Sequence, residues 1–313
     1  MLQKGFFMKR IMAVCLLAAI LLASCGENSR IDTETSGIEN EDTSTAAPET
    51  IDPSRISDLP EKYDLEGYEL TVAKTSPETN FWALGTFAVD EENGEILNDA
   101  IYRRNLEVTE NYNFRITEIN FNSNPVDKVN TSVLAGDDEY RLALLELRYV
   151  SSTANGNYLN LYDLEWLSPE KVWWDQNIQR DLTIGGRLTM LTGDILVADN
   201  DAMMMTMYNR PLAEPDKVGF ALEALAAASE DITDSYYSVC MESKYTRDAE
   251  SFEMIKLASE NITYDPSFIY DWGGLGTTIR ASIMNLGGNY ASLIAQNAPA
   301  SKQAMQDFLE DIE

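Results

Sequence analysis

Between Tyr68 and Leu147 the spacing of apolar side chains switches back and forth between two periods, and few folds accept that pattern. Tyr68-Glu69-Leu70-Thr71-Val72-Ala73 alternates at period two and is predicted to be a strand. Leu97, Ile101, Val108 and Tyr112 then share one face of a helix predicted over 96–112, with Arg103, Arg104, Glu107 and Glu110 on its other faces. Phe114 to Phe121 alternates strictly again. Val126 to Leu134 predicts a short helix ended near Gly136, and Tyr140 to Leu147 a third strand. Strand, helix, strand, helix, strand is the order of a parallel sheet covered by helices, so the expected class is α/β with a largely parallel sheet.

The next informative stretch is Gly185 to Leu212. Ile184-Gly185-Gly186-Arg187 puts two glycines where a two-residue hairpin turn needs positive φ. Arg187 to Thr192 is predicted as a strand, broken by Gly193-Asp194, and Ile195 to Ala198 begins another apolar run. Asp199-Asn200-Asp201 is a polar turn, and Met203 to Tyr208 has the composition of a buried strand. Strand spacing almost vanishes after that point. Asp216 is expected to cap a helix over 218–228, and further helices are predicted over 232–241, 248–261, 277–296 and 301–312.

The N-terminus has a different character. Lys4, Lys9 and Arg10 precede an apolar run from Ile11 to Leu22, shorter than the roughly 20 apolar residues a spanning helix needs. Leu22-Ala23-Ser24-Cys25 looks like a bacterial lipobox, so residues 1–24 are expected to be a lipoprotein signal peptide and Cys25 the lipidated residue. Several acyl chains on one residue give stable membrane anchoring. Residues 25–64 are mostly Glu, Asp, Ser and Thr and are expected to form a disordered acidic tether, able to reach on the order of 35 Å. Cys240 is then left without an internal disulfide partner and fits a small core residue.

Charge and composition exclude several functions. With 23 basic and 52 acidic residues the net charge is −29, which repels nucleic acid and anionic lipid. The expected contact with a membrane is therefore through the N-terminal lipid only. The chain has no histidine, which removes Ser-His-Asp and Cys-His catalysis in their usual forms and the commonest zinc ligand. Asp90-Glu91-Glu92-Asn93-Gly94 and Asp199-Asn200-Asp201 lack the alternating ligands and sixth-position glycine of a calcium loop. No metal, cofactor or catalytic site is expected, and a binding protein is favoured over an enzyme.

Several strings in order carry a family resemblance. Gly186-Arg187-Leu188-Thr189 with Met207-Tyr208-Asn209-Arg210 resembles the crossover segment of extracellular solute-binding proteins that serve ABC importers, where the chain passes between two lobes. Glu95 to Asn105 resembles the first helix of a group of these proteins, and Val172-Trp173-Trp174-Asp175-Gln176-Asn177, Leu182 to Leu188, Thr192-Gly193-Asp194 and Tyr270-Asp271-Trp272-Gly273-Gly274-Leu275 follow in order. The resemblance implies a periplasmic-binding-protein-like fold. The first α/β lobe would occupy 65–192, the crossover 193–214 and a helical C-terminal region 215–313. Family members have a second multi-stranded sheet, and the scarcity of strands after Tyr208 makes the second lobe look truncated and mostly helical.

The implied function is a lipid-anchored protein on the extracytoplasmic face that delivers a small solute, a carbohydrate above all, to the membrane subunits of an ABC importer. The alternative is a shortened, non-transporting derivative, either a surface interaction protein or a relic. Sugar rings stack on aromatic faces while carboxylates and amides take their hydroxyls. The candidate ligand residues are Trp82 after the first strand, Trp173, Trp174 and Asp175, Asn200 and Asp201 at the crossover, and Trp272 beside two glycines. Trp173 and Trp174, if helical, would point about 100° apart, so one of the two at most should face a ligand.

Overall fold

The structure is a computed structural model that describes residues 52–76, 78, 86–123, 125–137, 139–146, 157–196, 203–207, 214–285 and 289–312. The alternating stretch folds as its periodicity requires. Strand β1 (Tyr68–Thr75) is followed by helix α1 (Ile96–Tyr112), β2 (Phe114–Phe121), α2 (Val126–Ala135) and β3 (Leu142–Glu146). The Glu95 side chain caps α1 by accepting the Asn98 amide at 2.9 Å, and α1 ends where Asn113 turns left-handed, at φ 52°.

β1 and β2 pair in parallel from Tyr68 opposite Phe114 to Thr75 opposite Phe121. β3 lies parallel on the other edge of β1, with Val72 opposite Leu142. Strand β4 (Met203–Met207) adds antiparallel to β3, Met203 lying opposite Glu146, which gives the order β2-β1-β3-β4. The chain is thus a mixed α/β protein with a three-stranded parallel sheet, one antiparallel strand and a large helical share.

Two apolar layers cover the sheet. On one side Ala73, Ala143 and Leu145 pack with Val126, Val129 and Val133 of α2. On the other, Leu70, Val72, Leu142 and Leu144 meet Val108 of α1, Leu188, Met190 and the two adjacent tryptophans. Helix α4 (Pro215–Ala227) contributes Val218, Phe220, Ala221 and Leu225 to that same layer. The start of the expected C-terminal region is therefore core to the sheet, because α4 buries nearly its whole circumference and has no other apolar surface to use.

Four local expectations are corrected. Residues 52–64 are not a free tether: Tyr63 stacks on Phe220 at 4.4 Å, Leu59 packs on the core, and Lys171 pairs with Asp58 at 2.5 Å. The composition of a long acidic segment hid these few apolar anchors near its end. Residues 187–192 form no ladder; a bridge joins Ile184 to Arg187 across Gly185 and Gly186 (φ 58° and 76°), and Leu188 and Met190 are buried in the apolar layer on the sheet. Asp216 does not cap α4, which starts at Pro215 after a left-handed Glu214. The last two predicted helices are divided differently, into α8 (Leu275–Met284) and α9 (Tyr290–Ile312), and α9 runs through Pro299. Between α4 and α8 come α5 (Glu230–Asp234), a π-helical segment (Ser235–Tyr245), α6 (Ala249–Glu260) and α7 (Pro266–Ile269).

Candidate functional site

A cavity of about 190 Å³ opens between the 172–175 turn, the 192–196 turn, the start of the π-helical segment and the end of α6 with the loop that follows it. Its geometry begins at helix α3 (Gln176–Leu182). Asp175 caps that helix, its Oδ1 accepting the Asn177 amide at 2.7 Å and the Ile178 amide at 3.4 Å. Its Oδ2 accepts the Tyr264 hydroxyl at 2.8 Å. The Tyr264 amide donates in turn to Asp181 at the far end of α3, at 2.9 Å, so the 262–265 loop is pinned along the helix.

The opposite wall is held by backbone. The Asp194 amide donates to the Trp173 carbonyl and the Asp175 amide to the Thr192 carbonyl, both at 2.9 Å, around a bridge between Trp174 and Gly193. Only glycine fits at 193, since a Cβ there would lie 2.1 Å from the Trp173 oxygen. Asp194 pairs with Arg55 at 2.9 Å, and the Arg55 Nε reaches Glu230 at 3.2 Å. Burial pushes the Asp194 carboxyl upward and the Arg55 guanidinium opposes it. Tyr236 and Tyr237 close the remaining side, their rings 5.3 Å apart and set at 80° to each other.

Of the expected ligand residues, Trp173, Trp174 and Asp175 line this cavity. Trp173 and Trp174 contribute to the wall but are 0% and 1% exposed, so neither is a stacking platform. They sit in a turn before α3 rather than on a helix, and each indole is drawn into the core. Trp174 Nε1 donates to Glu223 Oε2 at 2.9 Å, and the Ser168 amide donates to the same oxygen at 3.2 Å. Burial pushes the Glu223 carboxyl up to about 7 despite these bonds. Trp272 belongs to a separate aromatic cluster, stacked on Tyr270 at 5.5 Å and beside Phe308 at 5.6 Å. Trp82, Asn200, Asp201 and Cys25 lie outside the described residues.

Sequence reasoning missed Asp194, Tyr236, Tyr237, Tyr264 and Glu223. One signal was available: Glu223 interrupts an otherwise apolar run, Phe220 to Ala228, and a charge at a core position must find partners. The tyrosines are brought in from distant segments and carried no local mark.

A second polar cluster runs from the middle of β2 to the carboxyl ends of β1 and β3, the side on which open α/β sheets hold ligands. Lys74 is buried there with its Nζ 3.5 Å from Glu118 Oε2, while Glu118 Oε1 accepts the Phe87 and Ala88 amides at 2.7 and 2.9 Å. Buried Glu146 ends β3 nearby in register. The arrangement anchors the approach to α1 onto the sheet. Among the described residues no cluster of three metal-ligating side chains occurs, and no helix is long and apolar enough to cross a membrane. Comparison with protein-family models, curated proteins and solved structures returned no match.

Proposed function

We propose that this chain is a lipid-anchored, extracytoplasmic solute-binding protein with a periplasmic-binding-protein-like first lobe, delivering a small carbohydrate-class solute to an ABC importer. The observation that supports the reading most is the cavity, which sets Asp175, Asp194 and three hydroxyl side chains against tyrosine rings. That mixture suits a ligand with apolar faces and polar edges. At about 190 Å³ the cavity is smaller than the roughly 300–1,000 Å³ of drug-sized pockets, so a single ring fits it better than an oligosaccharide. The strand order supports the reading too, because β1 and β3 are parallel neighbours whose carboxyl ends lie side by side, the usual place for a ligand crevice.

The test is a thermal melt of the chain from residue 26 onward against a panel of mono- and oligosaccharides. A ligand at 100 times its dissociation constant adds about 2.7 kcal/mol to the native state. A monosaccharide that moves the transition supports the reading, and a panel with no effect counts against it.

A second reading, a shortened surface interaction protein, has its own support. Ile283, Met284, Tyr290 and Ile294 are exposed around the α8–α9 corner, and from Trp272 to Ser301 the only charged residue is Arg280. Interface centres are depleted of charge in this way. Sedimentation of the wild type and of Met284→Lys separates the two: self-association lost in the variant favours interaction, and a monomer in both favours solute binding.

A further inference from the structure

We infer that the cavity beside Asp175 and Asp194 selects a small organic ammonium ion, which under the solute-binding reading makes the ligand an amino sugar rather than a neutral one. The inference rests on that reading of the cavity and narrows its ligand class.

The lining decides the sign of the ligand. Two carboxylates, Asp175 and Asp194, belong to the wall, and among the described lining residues there is no lysine or arginine. Asp175 is fixed in place by the Tyr264 hydroxyl and the two α3 amides, which hold it as an oriented acceptor. Asp194 shares Arg55 with Glu230, so one guanidinium faces two carboxylates there. Asp194 is thus paired by Arg55, while Asp175 has only neutral donors around it, so the wall as a whole stays negative. A cation placed in the cavity is attracted to the Asp175 carboxylate, whereas an anion is repelled by it. The whole chain, at −29, steers in the same direction.

The tyrosines decide the shape of the ligand. Tyr236 and Tyr237 are half-buried with rings at 80° to one another, a corner that offers ring surface in two directions. Ring faces attract ammonium groups within about 6 Å of their centroids, and desolvated sites strengthen the attraction. A strongly hydrated inorganic cation is held best where several charged ligands converge, and among the described residues no three His, Cys, Asp or Glu side chains do so. The carboxylates with the tyrosine corner therefore suit an ammonium carried on a small organic frame.

The test compares D-glucosamine, D-glucose and choline on the purified full-length chain, by calorimetric titration at about pH 6, where a primary amine is protonated. Glucosamine binding at least on the order of tenfold more tightly than glucose is the expected result. Glucose binding as well as glucosamine overturns the inference while leaving the carbohydrate reading intact. Choline binding with neither sugar supports the inference and removes the carbohydrate reading. No binding by any of the three overturns the inference.

Two variants make the result specific to the site. Asp175→Asn keeps an oxygen for the helix cap, turns the contact with Tyr264 into an amide donating to its hydroxyl, and removes the charge, and should weaken ammonium binding on the order of tenfold. Asp248→Asn makes the same change at the cap of α6, where Asp248 accepts the Ser251 amide, and should leave binding unchanged. Equal loss in both variants would reduce the effect to overall charge and overturn the inference.

Discussion

The indole N–H of Trp174 donates to Glu223 Oε2 at 2.9 Å in the centre of the apolar layer, joining the wall of the cavity to helix α4. This bond explains why a carboxylate is tolerated on a helix that otherwise buries alanine, leucine and phenylalanine. It also sets a pH dependence. Burial, offset by Trp174 and the Ser168 amide, moves the Glu223 carboxyl from 4.5 to about 7 on folding. The folded state then holds a proton that the unfolded chain releases between those values. The contribution of this group is fully present below 4.5 and falls away as the pH rises to about 7. At 1.36 kcal/mol per pH unit the loss is about 3 kcal/mol. Glu223→Gln, which keeps an acceptor oxygen, should flatten this part of the profile. Denaturant unfolding of both proteins from pH 5 to pH 8 should show the variant gaining on the wild type as pH rises.

Gly193 admits no side chain. A Cβ at this position meets the Trp173 oxygen at 2.1 Å and the Trp174 Cα at 2.9 Å, both backbone atoms that cannot swing away. Gly193→Ala should cost about 2–3 kcal/mol, at the upper end of overpacking, and lower the melting temperature by several degrees. Because the same bridge shapes the cavity wall, the variant should also weaken any ligand that stabilises the wild type.

Arg104 of α1 is buried and all its N–H groups find acceptors: Asn105 Oδ1, the Phe87 and Ile195 carbonyls and the Ser229 hydroxyl. Burial lowers its guanidinium to about 9. The side chain clamps the approach to α1, the 194–196 turn and the start of α5 together. Arg104→Lys keeps the charge but cannot span these four acceptors, and should cost about 3 kcal/mol or more in denaturant unfolding.

Tyr63 holds the segment before β1 against the domain. Its ring stacks on Phe220 at 4.4 Å and tilts against Trp166 at 5.6 Å. Tyr63→Ala should destabilise by about 2–3 kcal/mol and raise hydrogen exchange at the amides of residues 53–65, with little change in α2. Unchanged exchange in that segment would mean that Arg55 and Lys171 alone hold it.

The sequence determined what periodicity can encode. β1, α1, β2, α2 and β3 were legible because each buries one regular face, and their order demanded a parallel sheet. The helical character after Tyr208 was legible for the same reason. Three-dimensional packing decided the rest. Whether residues 52–64 join the domain depends on Phe220 and Asp194, far along the chain, and not on their acidic composition. Whether two adjacent tryptophans face a ligand or the core depends on Glu223 arriving from α4. The cavity itself joins Asp175, Asp194, Tyr237 and Tyr264, which span 90 residues and share no local pattern. A side chain's preference for apolar or polar surroundings is written in the chain, but the identity of its neighbours is fixed only when the layers close.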